Sequence, residues 1–194
     1  MYKRINLAKY GRLLHEAKMV IGTGGNISEK DGDFLIIKKK GADMSESKPE
    51  DYIRLPFSEA AEGKNSLLSS EAPLHVACYN ANEKVGAIIH VHSPYIIAAA
   101  NRTGLLESPS YEFDCLLVNA VPVVGYLKPG SQYLADAVAH NIRSKVNAVM
   151  LKQHGAISIG GTIEEAYYRI LALERACMIF LLNNIPDLSI FKNL

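Results

Sequence analysis

Apolar runs alternate along this chain with amphipathic stretches, and the spacing within each stretch separates strands from helices. Val85 to Val91 is apolar and rich in branched side chains, as in a buried strand. Phe34 to Ile37 reads as a strand after the Asp31-Gly32-Asp33 turn. Tyr52 to Phe57, Val121 to Tyr126, Ala148 to Lys152 and Ala156 to Ile159 read as further strands. Helical spacing marks Asn6 to Val20, where Leu7, Tyr10, Leu14, Ala17 and Met19 approximate one face. A helix is expected over Glu71 to Asn80, with Pro73 tolerated in its first turn, and another over Pro94 to Arg102. Ser131 can cap a helix that carries Leu134, Val138 and Ile142 on one stripe. Thr162 with Glu165 forms a capping-box pattern that opens a long helix to about Asn183. Ser58 to Ser70 is small, charged and without periodicity, and reads as a loop. This alternation predicts an α/β fold with helices packed on a central sheet. Several connections are too short for a helical crossover, so a purely parallel sheet is not expected.

Composition narrows the class. A chain of 194 residues with 48% hydrophobic and 21% charged residues fits one soluble globular domain spanning 1–194. A formal net charge of +1 gives no basis for a nucleic-acid or membrane partner. No apolar run approaches a membrane span, and the opening segment lacks a signal-peptide core. Cys78, Cys115 and Cys177 are odd in number and widely spaced, which argues against a disulfide framework and for a reducing, cytoplasmic setting.

His90 and His92 lie two apart in VGAIIHVHS. Side chains on a strand repeat every two residues, so both imidazoles leave one face and aim at one spot. His154, in LKQHGAISIG, ends another expected strand. The three together read as a metal site with an open position, a catalytic pattern. The alternative is that each imidazole is a hydrogen-bonded core residue.

Three other clusters allow two readings each. Ser69-Ser70-Glu71 opens a helix, where hydroxyls and free amides suit an anion and Glu71 suits a general acid or base; it could equally be a capping cluster. Gly22-Thr23-Gly24-Gly25-Asn26 can cradle a phosphate or simply stop a helix, and it matches neither a Walker loop nor a dinucleotide fingerprint. Lys38-Lys39-Lys40-Gly41 is either a solvated sheet edge or a basic rim facing an anionic ligand.

Taken in order, Gly-Gly-Asn, the Lys-Gly turn, SSEAPLH, IIHVHS and LKQHG resemble the class II aldolase/adducin family, over most of the chain. The resemblance implies a three-layer α/β/α fold with a largely antiparallel or mixed central sheet. It implies a divalent metal, usually zinc, on His90, His92 and His154, with Glu71 moving a proton beside it. It places a substrate phosphate against Thr23, Asn26, Gly41, Ser69 and Ser70, with Lys38 and Lys40 in the turn where many members carry proline and a hydroxyl. The implied reaction is metal-assisted cleavage of a ketose 1-phosphate to dihydroxyacetone phosphate and an aldehyde through a metal-stabilised enediolate. A homotetramer with sites between subunits is implied as well. Where the fuculose-phosphate aldolases carry a proton-donating tyrosine, this chain has Phe113 within SPSYEFD, and Tyr111 would share a strand face with it. A 4-epimerase, a dehydratase or a decarboxylase would use the same motifs, and a non-catalytic adducin-like assembly module would not need the ligands. His15, His75 and His140 match no family ligand and read as surface or helix-packing residues.

Overall fold

The computed structural model describes residues 2–117, 120–143 and 146–185. The chain opens with α1 (Tyr2–Glu16), followed by β1 (Asn26–Asp31), β2 (Phe34–Lys38), β3 (Tyr52–Pro56) and α2 (Phe57–Glu62). Then come α3 (Ala72–Ala81), β4 (Ala87–Val91), α4 (Pro94–Ala100), β5 (Leu105–Leu106) and α5 (Tyr111–Leu117). The remainder is β6 (Val121–Val124), α6 (Gln132–Arg143), β7 (Ala148–Leu151), β8 (Gly155–Gly160) and α7 (Ile163–Asn183).

Among the described residues, eight strands join one sheet in the order β3-β2-β1-β4-β8-β7-β6-β5. Its neighbours pair antiparallel except β6 with β7, which run parallel. Alternation along the strands builds a core on each face. Ile27, Ile36, Ile89 and Val91 pack with Leu7 and Leu14 of α1, Ile96 of α4, Phe113 of α5 and Leu173 of α7. Leu35, Ile37, Ile88, Val149 and Ile157 pack on the other face with Ala60 of α2, Leu74 of α3 and Val138 of α6. The result is three layers, helix, mixed sheet and helix, as expected.

The helix starts behave as the sequence suggests. The Leu134 amide donates to the Ser131 hydroxyl at 3.2 Å, and the Glu165 amide to the Thr162 hydroxyl at 3.2 Å. Four expectations are corrected. The first helix ends at Glu16, short of Val20, with Lys18 in the left-handed region. Within the expected loop Ser58 to Ser70, α2 forms a short helix from Phe57 to Glu62. β1 was not anticipated, because its α3-facing positions Asn26 and Ser28 are polar. Tyr111 and Phe113 lie on helix α5, not on a strand. Two residues along a helix turn through about 200°, so the two side chains diverge: Phe113 is buried, and Tyr111 is 80% exposed.

Candidate metal and sugar-phosphate site

The centre of the sheet carries the site. β4 lies between β1 and β8, with His90 opposite Asn26 on one side and Ile157 on the other. His90 is fully buried, and its Nδ1 stands 3.0 Å from the Ala156 carbonyl oxygen. A carbonyl only accepts, so Nδ1 carries the proton and Nε2 keeps its lone pair. That lone pair faces the Nε2 of His92 at 3.0 Å. His92 lies just past the end of β4, with its backbone amide bonded to the Met19 carbonyl at 3.2 Å.

His154 arrives from the turn between β7 and β8. Gln153 before it is left-handed (φ 58°), and Gly155 after it has φ 147°. A Cβ at Gly155 would collide with the Val91 carbonyl at 1.9 Å, so this close crossing requires glycine. The three ring centroids lie 4.8, 4.8 and 5.1 Å apart, and one ligand nitrogen from each ring lies within 4.8 Å of the others.

Burial holds all three rings neutral. It pushes His90 well below the usual range with help from its two neighbours, lowers His92 with help from Lys38, and brings His154 down to about 4. The Nδ1 of His154 is buried without a hydrogen-bond partner among the described residues. Three imidazoles with one ligand nitrogen each within 4.8 Å of the others, and an orphaned ring nitrogen on His154, fit a divalent cation whose ligands are nitrogens at about 2.0–2.1 Å.

Glu71 sits at the N-cap of α3 and is buried. Burial raises its carboxyl above the usual range, and the Gly130 amide, donating to it, offsets part of that rise. The Ser69 hydroxyl accepts the Glu71 amide at 3.2 Å and the Asn26 side-chain amide at 3.4 Å. The Gly-rich loop owes its composition to contact with the histidines. A Cβ on Gly25 would meet the His90 carbonyl at 2.7 Å, and one on Gly24 would touch His92 Nδ1 at 3.3 Å.

The three-lysine run divides by role. Lys38 is buried, and its ammonium donates to the Thr23 carbonyl at 3.0 Å and the Ala42 carbonyl at 2.7 Å; burial lowers it to about 8. It ties the Gly-rich loop to the following turn, in place of either the solvated edge or the basic rim expected of it. Lys39 bridges Leu68, and the Lys40 amide donates to the Leu67 carbonyl at 2.9 Å. These ties bring Thr23, Lys40, Gly41 and Ser70, all exposed, beside the buried Asn26 and half-buried Ser69.

Tyr111 faces solvent, and its recorded partner is Cys115 on its own helix. Sequence reasoning missed Ala156, Met19, Gly130 and Glu174. Glu174, from α7, accepts the Ile96 amide at 3.2 Å and so holds the start of α4, the helix that leaves His92 and Ser93. The first three act through backbone groups, which leave no residue-type signal. Of the two expectations for His75, surface or helix-packing, it meets the second: it lies on α3, fully buried and hydrogen-bonded to Ser28 of β1.

Comparison with known proteins identifies relatives over most of the chain. The family model described as Class II Aldolase and Adducin N-terminal domain matches residues 5–181. An L-fuculose phosphate aldolase of Methanococcus maripaludis is 31% identical over 183 residues, covering 93% of this chain and 98% of that one. A 3-oxo-tetronate 4-phosphate decarboxylase of Pectobacterium atrosepticum is 28% identical over 188 residues, covering 93% of this chain and 85% of that one. The crystal structure of L-fuculose-1-phosphate aldolase from Thermus thermophilus shares the fold with a TM-score of 0.86 at 24% identity, over 94% of this chain and 95% of that one. Fold, motif order and sequence match together show that the chain belongs to the class II aldolase and adducin family.

Proposed function

We propose that the protein is a metal-dependent sugar-phosphate aldolase. It cleaves a ketose 1-phosphate to dihydroxyacetone phosphate and an aldehyde. The observation that carries this reading is the convergence of His90, His92 and His154, with one ligand nitrogen each within 4.8 Å of the others. These residues would hold a divalent metal, and a three-imidazole set suits zinc with an open position. The bound metal supplies Lewis-acid stabilisation of charge on the hydroxy-ketone oxygens.

The chain's own residues account for the rest. Thr23, Asn26, Gly41, Ser69 and Ser70 bind the phosphate, with Lys40 on the rim as a mobile point charge. Lys38 holds that cluster together from below, through the Thr23 and Ala42 carbonyls. In the cleavage direction a base removes the hydroxyl proton on the fourth carbon, and the bond between the third and fourth carbons breaks. The electron pair passes into an enediolate of the triose part. Glu71, whose carboxyl burial raises above the usual range, gives a proton to the third carbon and completes dihydroxyacetone phosphate. In the synthetic direction it takes that proton back.

Tyr111 serves the aldehyde oxygen from a neighbouring subunit, in a homotetramer with sites between subunits. Its 80% exposure supports a role outside its own subunit. The free state of Cys78, Cys115 and Cys177 supports a cytoplasmic setting.

Metal analysis of the purified protein, with His92→Ala as control, tests this reading alongside a triose-phosphate release assay on a panel of ketose 1-phosphates. About one metal per chain, lost in the variant, with metal-dependent release of dihydroxyacetone phosphate, is the expected result. Metal without release would move the assignment to an epimerase, dehydratase or decarboxylase. A metal-free protein would favour an adducin-like assembly module.

A further inference from the structure

Behind His90, on the sheet face covered by α3, lies a polar chain that the proposed reaction does not use. The Ser28 hydroxyl of β1 stands 2.7 Å from His75 Nδ1 and 2.9 Å from the Tyr79 hydroxyl, both on α3. All three residues are buried, His75 and Ser28 completely. The Nε2 of His75 has no hydrogen-bond partner among the described residues, and the same is true of Glu71 Oε2 and Asn26 Oδ1.

Two of these three orphaned atoms can act as acceptors when Glu71 is ionised, and of the three only His75 Nε2 can carry a proton in a neutral ring. Glu71 and His75 are one helical turn apart, since the His75 amide donates to the Glu71 carbonyl at 3.3 Å. Side chains so related lie on one helix face with Cβ atoms about 5–6 Å apart; the two orphaned atoms are not bonded to each other, and one water spans such a gap. A carboxylate is a stronger acceptor than an amide oxygen, which favours Glu71 over Asn26. Burial holds His75 down to about 3, so the ring is neutral and exists as one tautomer or the other.

We propose that His75 is a positioning residue for Glu71: its Nε2–H donates to the Glu71 carboxylate through one water, and the Ser28 and Tyr79 hydroxyls hold the ring in the tautomer that can do so. Of the two orders open to these hydroxyls, this role requires that Tyr79 donate to Ser28 and Ser28 to Nδ1, which leaves the proton on Nε2. The chain orients the side chain that moves the substrate proton and leaves metal binding to the histidine cluster. This inference rests on the role given to Glu71 above.

Nitrogen-15 spectra of the zinc-loaded protein provide a test independent of turnover. His75 is expected as the neutral Nε2–H form, with a Nε2 resonance that moves in Glu71→Gln. A proton on Nδ1, or a resonance that follows Asn26→Ala and ignores Glu71→Gln, would overturn the proposal. In kinetics, His75→Phe should lower kcat at least tenfold with KM within threefold and metal content unchanged, and His75→Gln, which keeps an N–H donor, should recover most of the loss. If His75→Phe does not fold, Ser28→Ala takes its place and should release the tautomer lock in the spectra; an unchanged Nε2–H form would count against the chain. Full activity in Glu71→Gln would instead remove the role of Glu71 while leaving the spectral coupling to stand or fall separately.

Discussion

Gly155 crosses the end of β4 so closely that a Cβ there would stand 1.9 Å from the Val91 carbonyl oxygen. The same crossing delivers His154 to His90, so backbone contact and ligand geometry are set together. Gly155→Ala must either break the β4–β8 pairing or shift the turn. The expected loss is on the order of 3–5 kcal/mol of stability, seen as a large fall in Tm, with metal binding lost in whatever remains soluble. Wild-type Tm and metal content in that variant would contradict this geometry.

Lys38 distinguishes support of the loops from contact with the ligand. Lys38→Met removes both carbonyl contacts at once, freeing the Gly-rich loop from the Ala42 turn. The expected outcome is a KM for the phosphorylated substrate raised about tenfold, with kcat within about threefold, the pattern for loss of uniform binding. Steady-state kinetics separate the two parameters.

Glu174 holds the helix start that follows His92, through the Ile96 amide. Glu174→Ala frees the first turn of α4, at about 1 kcal/mol, and loosens the corner where His92 leaves the sheet. Metal affinity, measured by competition with a chelator, should fall roughly tenfold. Glu174→Gln keeps an acceptor and should lose less.

Acid stability carries the signature of His75. Its folded value of about 3 lies below the ordinary 6.5. A depressed histidine contributes its stability fully above the unfolded value and loses it as pH falls, because the unfolded chain binds the extra proton. Between about pH 6.5 and 3, denaturant titrations of chelator-treated protein should show up to about 1.4 kcal/mol lost per unit from this group. His75→Phe should flatten the profile by that one-proton slope.

Tyr111 can be tested by mixing subunits. Tyr111→Phe should change stability by less than about 0.5 kcal/mol, as expected for an exposed helix position, while lowering kcat. If the hydroxyl serves a neighbouring subunit, co-assembly of Tyr111→Phe with Glu71→Gln chains should restore part of the activity. Mixtures no more active than their components would place the proton donor elsewhere.

The parts of this fold legible in the sequence are those where one physical demand dominates. β4 and β8 are apolar on both faces and therefore stand out, and His90 and His92 are visible because a strand repeats every two residues. β1 is hidden because Asn26 and Ser28 satisfy a buried polar network in place of an apolar core. α5 is hidden because SPSYEFDCLL has as many extended as helical features until Phe113 docks beside α7. Within the site, side chains with distinctive chemistry could be found from the sequence. The carbonyls of Met19 and Ala156 could not, since any residue supplies a carbonyl and only the folded loop after α1 and the β4–β8 register bring these two to the histidines. Lys38 shows the converse: its type was visible, but only the closed loops show that it points inward.

The order β1-β4-β8 brings His92, just past the end of β4, to His154, just before β8, although about sixty residues of chain separate them, a span whose closure is entropically costly. Strand pairing bears that cost before any ion arrives. The protein should therefore fold empty and be charged afterwards, exchanging one divalent ion for another without unfolding. Which metal it carries in a cell would then follow supply and the ion's own preference for imidazole, not a selection made while the chain folds.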